Sequence, residues 1–356
     1  MSKFLASKFL TSLDPYDTSE ELESMNGYVR LNTNESPFEP SEKLIERVKT
    51  AAKNLNFYPD PDCRQLREKL AALMNVKPSE IVFGNGSDEI LNFLFAGFCE
   101  NGAVFPDLAY SFYKILAKFY GVDFIQVPLD SNFRINPDNY KNFNARTIFI
   151  TNPNAPTGIF LSLDNIRRIL NQNHENLVII DEAYVDFADE NSSAKDLIHE
   201  YKNLVVVRTF SKSRSLAGAR LGWCMACEEI AKDINDIKNT LAPYNINAMT
   251  QAAAIAALED EEITQKNVNL IKNVRDDIKI KLREIGFEVL DSSTNFLFVR
   301  HEKVSGSEIF EALKKNKIMI RHFDHPERIA NFNRITIGTE TQMQDVLKIL
   351  KEILNQ

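Results

Sequence analysis

The 356-residue chain carries 42 Lys and Arg against 50 Asp and Glu, a formal net charge of −8, with 44% hydrophobic and 26% charged residues. That length buries a large core and accommodates two interleaved domains, the composition is that of an ordinary soluble globular protein, and the acidic balance argues against a nucleic-acid surface. The cysteines, four in all, are too few and too scattered for a disulfide framework, and no apolar run approaches the length of a membrane span.

Residues 1–40 read as an arm. Periodicity is sparse there, with Pro15, Pro37 and Pro40, and the run LNTNESPFEP cannot be a helix, because proline removes a donor and extends the residue before it. MSKFLASKFL has no continuous apolar stretch and no small-residue cleavage site, so no signal peptide is read and a cytoplasmic chain is expected. Helical spacing begins at Ser41, an N-cap side chain, and runs to Leu55. After the extended FYPDPD, Asp62 is expected to cap an amphipathic helix with Leu66, Leu70 and Leu73 on one face.

IVFGNGSDEILNFLFAGF reads as strand, glycine turn and helix. Gly84 and Gly86 let the backbone turn tightly, so the amides of Ser87 and Asp88 point outward at a helix N-terminus, an arrangement that binds phosphate. AVFPDLAYSFYKILAKFYG is rich in aromatics and reads as a helix packing its rings inward. A strand over 147–150 leads into TNPNAPTG, and LVIIDEAYVDF supplies another that ends in Asp181. Both stop at carboxyl ends, where open α/β sheets place their ligands.

Val205–Val207 is a short β-branched strand followed by RTFSKSRSLAGARLGW. A lone lysine is ordinarily a solvated surface charge. Lys212 has Arg214 and Arg220 close in sequence, and neighbouring cations ease the proton off an amine. Thr209, Ser211 and Arg220 also make a set that binds a phosphate monoester. Together they point to a lysine holding pyridoxal phosphate as a Schiff base, with Ser211 and Arg220 on the phosphate.

Cys224 and Cys227 form a C-x-x-C pair with no second pair beside it and are read as core cysteines. His322, Asp324 and His325 are read as solvated loop residues, and no metal site is expected. Helices are expected over 228–258 and 261–285, then FEVL, NFLFVRH, a helix from Ser307 to Lys315, IMIRHF, RITIG and a last helix from Thr341. Arg321 and Arg334 stand on otherwise apolar strands. A guanidinium there binds a carboxylate or phosphate bidentately, with a surface ion pair as the plainer account.

SKSRSLAGARLG, GNGSDE and DEAY together resemble the fold-type I, class II pyridoxal-phosphate-dependent aminotransferases, the histidinol-phosphate aminotransferase branch in particular. The resemblance runs from about Asp14 to the C-terminus. It implies an α/β fold-type I transferase. A large domain over 41–244 would hold a mostly parallel sheet flanked by helices, and a smaller α+β domain over 245–356 would be joined by the arm, 1–40. Pyridoxal 5'-phosphate is the implied cofactor, with Lys212, Asp181 and Tyr184 catalytic. In that family a carboxylate at the position of Asp181 keeps the pyridine nitrogen protonated and so preserves the electron sink.

The resemblance further places Tyr184 near O3′, Tyr110 on the ring, and Ser87, Asp88, Ser211 and Arg220 about the phosphate. Tyr58 would reach the phosphate of the other subunit in a homodimer, and Tyr16, Asn32, Arg321 and Arg334 would meet the substrate. The chain departs from the family at Ala155, where an asparagine usually precedes Pro-Thr-Gly. Either Asn154 takes its place or Tyr184 serves O3′ alone. Ser36 and Phe38 also differ from the common form of the arm. The expected reaction passes an amino group between histidinol phosphate and 2-oxoglutarate, giving glutamate. Amination of a smaller keto phosphate, such as dihydroxyacetone phosphate, and decarboxylation of an amino-acid phosphate remain alternatives on the same scaffold. A ligand-sensing transcription regulator would need a DNA-binding module that the short arm does not supply.

Overall fold

The computed structural model describes residues 18–355, so Tyr16 lies outside the described residues. The arm contributes β1 (Val29–Arg30). The apolar runs of the first two-thirds of the chain become β2 (Ile81–Gly84), β3 (Ala103–Pro106), β4 (Phe124–Val127), β5 (Thr147–Thr151), β6 (Val178–Asp181), β7 (Leu204–Thr209) and β8 (Gly222–Ala226). They form one sheet in the order β2-β8-β7-β6-β5-β3-β4. β8 runs against both its neighbours, and the remaining pairs are parallel. Helices cover both faces: Leu66, Ile169 and Ala254 pack on one, Phe93, Tyr113 and Ile234 on the other. β5, β6 and β7 are therefore buried along their whole length. Burial on two faces is why they read as unbroken apolar runs instead of alternating ones.

The smaller domain holds β9 (Phe287–Val289), β10 (Phe296–His301), β11 (Ile318–Met319), β12 (Arg321–His322) and β13 (Asn333–Thr336). An antiparallel sheet runs in the order β12-β13-β10-β9, while β11 pairs in parallel with β1 of the arm. IMIRHF is thus not one strand: it changes partner after Met319, and this exchange ties the arm to the small domain. Leu31 of the arm shares a core with Ile271, Leu282, Phe296 and Ile335.

Several sequence readings are refined. Ser41 caps its helix, accepting from the amide of Leu44 at 3.2 Å. Asp62 does not cap the next one: Asp60 accepts from the amides of Asp62 and Arg64, both at 3.1 Å, and so turns the chain into the helix Arg64–Met74. The long helix expected over 228–258 is two, Glu228–Leu241 and Ala248–Glu259, broken around Pro243. Asn247 caps the second by accepting from the amide of Thr250 at 2.9 Å. Its Ala253, Ala254 and Ala256 belong to the core of the large domain. We infer a domain boundary at Asp260, where the long helix Glu261–Glu284 begins, instead of at residue 244.

Cys224 is buried on β8, but Cys227 is only half-buried. His322 lies on β12 and not in a loop; its Nδ1 is 3.1 Å from Asn333 Oδ1. Among the described residues no helix is long and apolar enough to cross a membrane.

Candidate active site

Parallel pairing brings Thr151, Asp181 and Val207 into line at the carboxyl edge of the sheet. Above that edge lies a cavity of about 530 Å³, walled by the ends of β5, β6 and β7, by the arm and by β12 and β13. Lys212, just past β7, reaches into it; its Nζ donates to the carbonyl of Thr33 in the arm at 2.9 Å and stands 5.9 Å from the centre of the Tyr184 ring. Burial, and after it the charge of Arg334, push the ammonium pKa from 10.5 down to about 8. Of the two cations expected from sequence, Arg220 also lowers it, whereas Arg214 is turned elsewhere. It points away, to Glu261 at 2.8 Å and the carbonyl of Ala257 at 3.1 Å.

Asp181 closes β6 on the floor of the cavity. Its carboxylate accepts from Tyr113 Oη at 2.9 Å and the amide of Ala183 at 3.2 Å. Burial nevertheless raises its pKa from 3.8 to about 6. No ion pair to Asp181 occurs among the described residues, so the site offers a buried carboxylate that a cationic ring nitrogen would complete. Tyr113, also 2.8 Å from Thr151 Oγ1, was not anticipated. Its only signal is its place in the aromatic run AVFPDLAYSFYKILAKFYG.

A ready anion cradle borders the floor. The helix Ser87–Phe98 starts after Gly86, whose φ of +83° suits glycine, and its first residues, Ser87 and Asp88, line the cavity with Ser211 and Arg220. A Cβ on Gly86 would lie 2.5 Å from Arg220 Nη2, and one on Gly222 would lie 2.1 Å from the amide nitrogen of Ser87. Two glycines thus let guanidinium, strand and helix start meet. Arg220 Nη2 is 2.9 Å from Asp88 Oδ2, and Tyr110 Oη donates to Asp88 Oδ1, also at 2.9 Å. Thr209 Oγ1 donates to Ser211 Oγ at 2.9 Å.

The outer wall is cationic. Arg321 and Arg334 are direct partners across β12 and β13, so both guanidinium stems leave the same face of the sheet and enter the cavity. Arg334 Nη2 donates to the carbonyl of Asn32 at 2.8 Å, and Arg321 Nη1 pairs with Glu20 Oε2 at 2.6 Å. Like charges directly opposite one another destabilise a sheet, and an anion between them would offset that cost. Asn32 is 1% exposed and lines the cavity, with neither side-chain atom hydrogen-bonded. Such an amide is costly unless a ligand satisfies it.

Tyr184 Oη accepts from Asn34 Nδ2 at 2.9 Å. Asn34, unforeseen, sits at φ +57°, and its carbonyl accepts from Asn295 Nδ2 at 3.0 Å, so it pins the arm against the small domain. Two expected residues are not brought into the cavity. Asn154 turns its amide to the carbonyl of Leu108 at 3.1 Å and to Thr157 Oγ1 at 2.9 Å, bracing the loop ahead of Tyr110. Tyr58 is 81% exposed and stacks on Tyr244 with ring centres 4.6 Å apart.

A match to the family aminotransferase class I and II spans residues 26–350. The chain belongs to that family. It is 40% identical to the histidinol-phosphate aminotransferase of Brachyspira hyodysenteriae over 99% of both chains. To the enzyme of that name from Lactococcus lactis subsp. cremoris it is 41% identical, over 97% of this chain and 96% of the other. Among solved structures, the histidinol-phosphate aminotransferase of Sinorhizobium meliloti in complex with pyridoxal-5'-phosphate superposes with a TM-score of 0.88 at 26% identity, covering 100% of this chain and 98% of that one.

The residues fit an aminotransferase cofactor at three points. Ser87, Asp88, Ser211 and Arg220 would surround a phosphate, Asp181 would meet a cation, and Lys212 offers an amine that loses its proton near pH 8. Capture of an aldehyde needs the neutral amine. Cofactor-free protein mixed with pyridoxal phosphate should therefore bind it covalently at a rate that climbs with pH and bends near 8 in stopped-flow absorbance. A bend near 10.5, the ordinary lysine value, would refute the burial account. Linkage gives the same sign in stability. Between those two values the unfolded lysine holds a proton that the folded one has shed, so the cofactor-free fold gains stability as pH rises through that window.

Proposed function

We propose that the chain is a pyridoxal-phosphate-dependent aminotransferase whose amino donor is histidinol phosphate and whose acceptor is 2-oxoglutarate, yielding imidazole acetol phosphate and glutamate. One observation carries the reading: a half-buried lysine just past β7 and a buried carboxylate at the end of β6 share a cavity with an arginine pair on its opposite wall. The names of relatives about 40% identical over the whole chain support the substrate.

The bound cofactor supplies an aldehyde for the incoming amine and a protonated ring that draws electrons from the substrate's α-carbon. Ser87, Asp88, Ser211 and Arg220 would hold its phosphate, Tyr110 would support the ring face, and Asp181 would keep the ring nitrogen charged. The Lys212 amine takes the proton from the substrate α-carbon, a role suited to a base with a pKa of about 8. Asn34 orients the Tyr184 hydroxyl as a donor toward the cofactor's O3′, since Asn154 is committed elsewhere. Arg321 and Arg334 grip the substrate phosphate in one half-reaction and the far carboxylate of 2-oxoglutarate in the other. Asn32 offers a donor and an acceptor to the remainder of the substrate.

The exposed Tyr58 suits a two-fold homodimer in which this ring reaches the cofactor phosphate of the partner subunit. Sedimentation should then find a dimer, and Tyr58→Phe should weaken cofactor retention on dialysis while the dimer persists. A monomer with full activity would sink the proposal.

Substrate identity is tested by one half-reaction. Histidinol phosphate and, separately, serinol phosphate are added to the pyridoxal form, and loss of its absorbance is followed. Fast conversion by histidinol phosphate alone is expected. Conversion by serinol phosphate alone would keep the transaminase and replace its substrate with a smaller phosphate.

A further inference from the structure

The two arginines that would hold the substrate's anion sit in the small domain, whereas Lys212, Asp181 and Tyr110 belong to the large one. Something must set the distance between them. β12 and β13 form a hairpin, and the loop between them, residues 323–332, carries a short turn, Glu327–Ile329, that touches the large domain. There Arg328 Nη1 lies 3.1 Å from Asp107 Oδ2 and donates to the carbonyl of Leu129 at 3.4 Å, while Nη2 donates to the carbonyl of Asp130 at 3.3 Å. The guanidinium also covers the ring of Phe133 at 4.8 Å. Each of these partners belongs to the large domain.

Asp107 is a junction. It follows β3, and its other carboxylate oxygen accepts from the amides of Leu108 and Leu129, both at 2.9 Å. Leu108 in turn gives its carbonyl to Asn154, and two residues later the chain reaches Tyr110. Behind the ion pair an apolar seam crosses between domains: Phe133 meets Phe332 at 5.5 Å, Phe332 stacks on Phe298 at 4.5 Å, and Phe298 meets Phe323 at 5.7 Å. Phe323 lies 5.9 Å beneath the guanidinium of Arg334. A contiguous packed path therefore runs from the cofactor loop to a substrate arginine.

We infer that Arg328 is a positioning residue: through Asp107 it clasps the arginine hairpin to the loop that bears Tyr110, and so fixes the span between the substrate's anion and the reacting lysine. Arg328 is not among the residues lining the cavity, and the inference rests on the aminotransferase reading above. A planar fork spreads its donors over a carboxylate and two carbonyls, which a lysine would not reproduce. The ion pair is half-exposed and contributes little to global stability. Its effect falls on geometry.

The test uses the holoenzyme with Arg328→Met, which keeps an apolar stem over Phe133 and removes the fork. Expected is a KM for histidinol phosphate, and a dissociation constant for inorganic phosphate measured by calorimetry, both raised roughly three- to thirtyfold. The absorbance of the lysine-bound cofactor and its pH dependence should stay as in the wild type, and amide exchange should quicken in residues 329–332. Arg328→Lys should recover only part of the loss. Unchanged KM and phosphate affinity would overturn the inference, as would loss of the cofactor absorbance, which would make Arg328 a residue of the fold. If the wild type itself fails to convert histidinol phosphate while the variant still loses phosphate affinity, the substrate assignment is wrong and the clasp stands.

Discussion

Burial of two ionisable groups at adjacent strand ends is the constraint on which this site depends. Asp181 ends β6 and Lys212 stands three residues past β7, half-buried above a layer whose strands have no exposed residue. Neither can keep its charge at the usual strength: the lysine is driven down to about 8 and the aspartate up to about 6. A protein that wanted only stability would fill such positions with apolar side chains. Here each group is left partly uncompensated, and a ligand with an aldehyde, a cationic ring nitrogen and a phosphate answers the lysine, the aspartate and the helix start together. The arm follows from the same constraint. It lays the carbonyl of Thr33 on Lys212 and the amide of Asn34 on Tyr184, so covering the site also arranges it.

What was legible in the sequence is what local patterning fixes. The buried strands, the glycine turn before Ser87, the strand ending in Asp181 and the lysine segment are each set by residues next to one another. What escaped is set by residues far apart in the chain. Nearby Arg220 does act on Lys212, but the stronger cation is Arg334, brought from the opposite end, while Arg214 leaves to pair with Glu261. Asn154 was expected at the cofactor and instead supports the Leu108 carbonyl, a partner that only folding supplies. IMIRHF has a strand's composition along its length, and nothing local shows that its halves join different sheets. Tyr58 remains outside the cavity, exposed and stacked on Tyr244.

The division of labour between domains follows from charge. Arg321 and Arg334 face one another across β12 and β13, an arrangement that costs stability wherever no anion is present. Glu20 relieves part of that cost by pairing with Arg321. On the proposed reading, an anionic substrate entering this wall competes with Glu20 for Arg321. The competing ion pair is half-exposed and therefore weak, and a phosphate able to bridge both guanidiniums has the advantage over a single carboxylate held by one. On the proposed reading, two substrates of unlike shape use the same wall in turn, because what it would recognise is concentrated negative charge at a fixed distance from the amine. That distance is a property of how the small domain rests on the large one. Selectivity in this architecture therefore depends as much on the seam between domains as on the residues that touch the substrate.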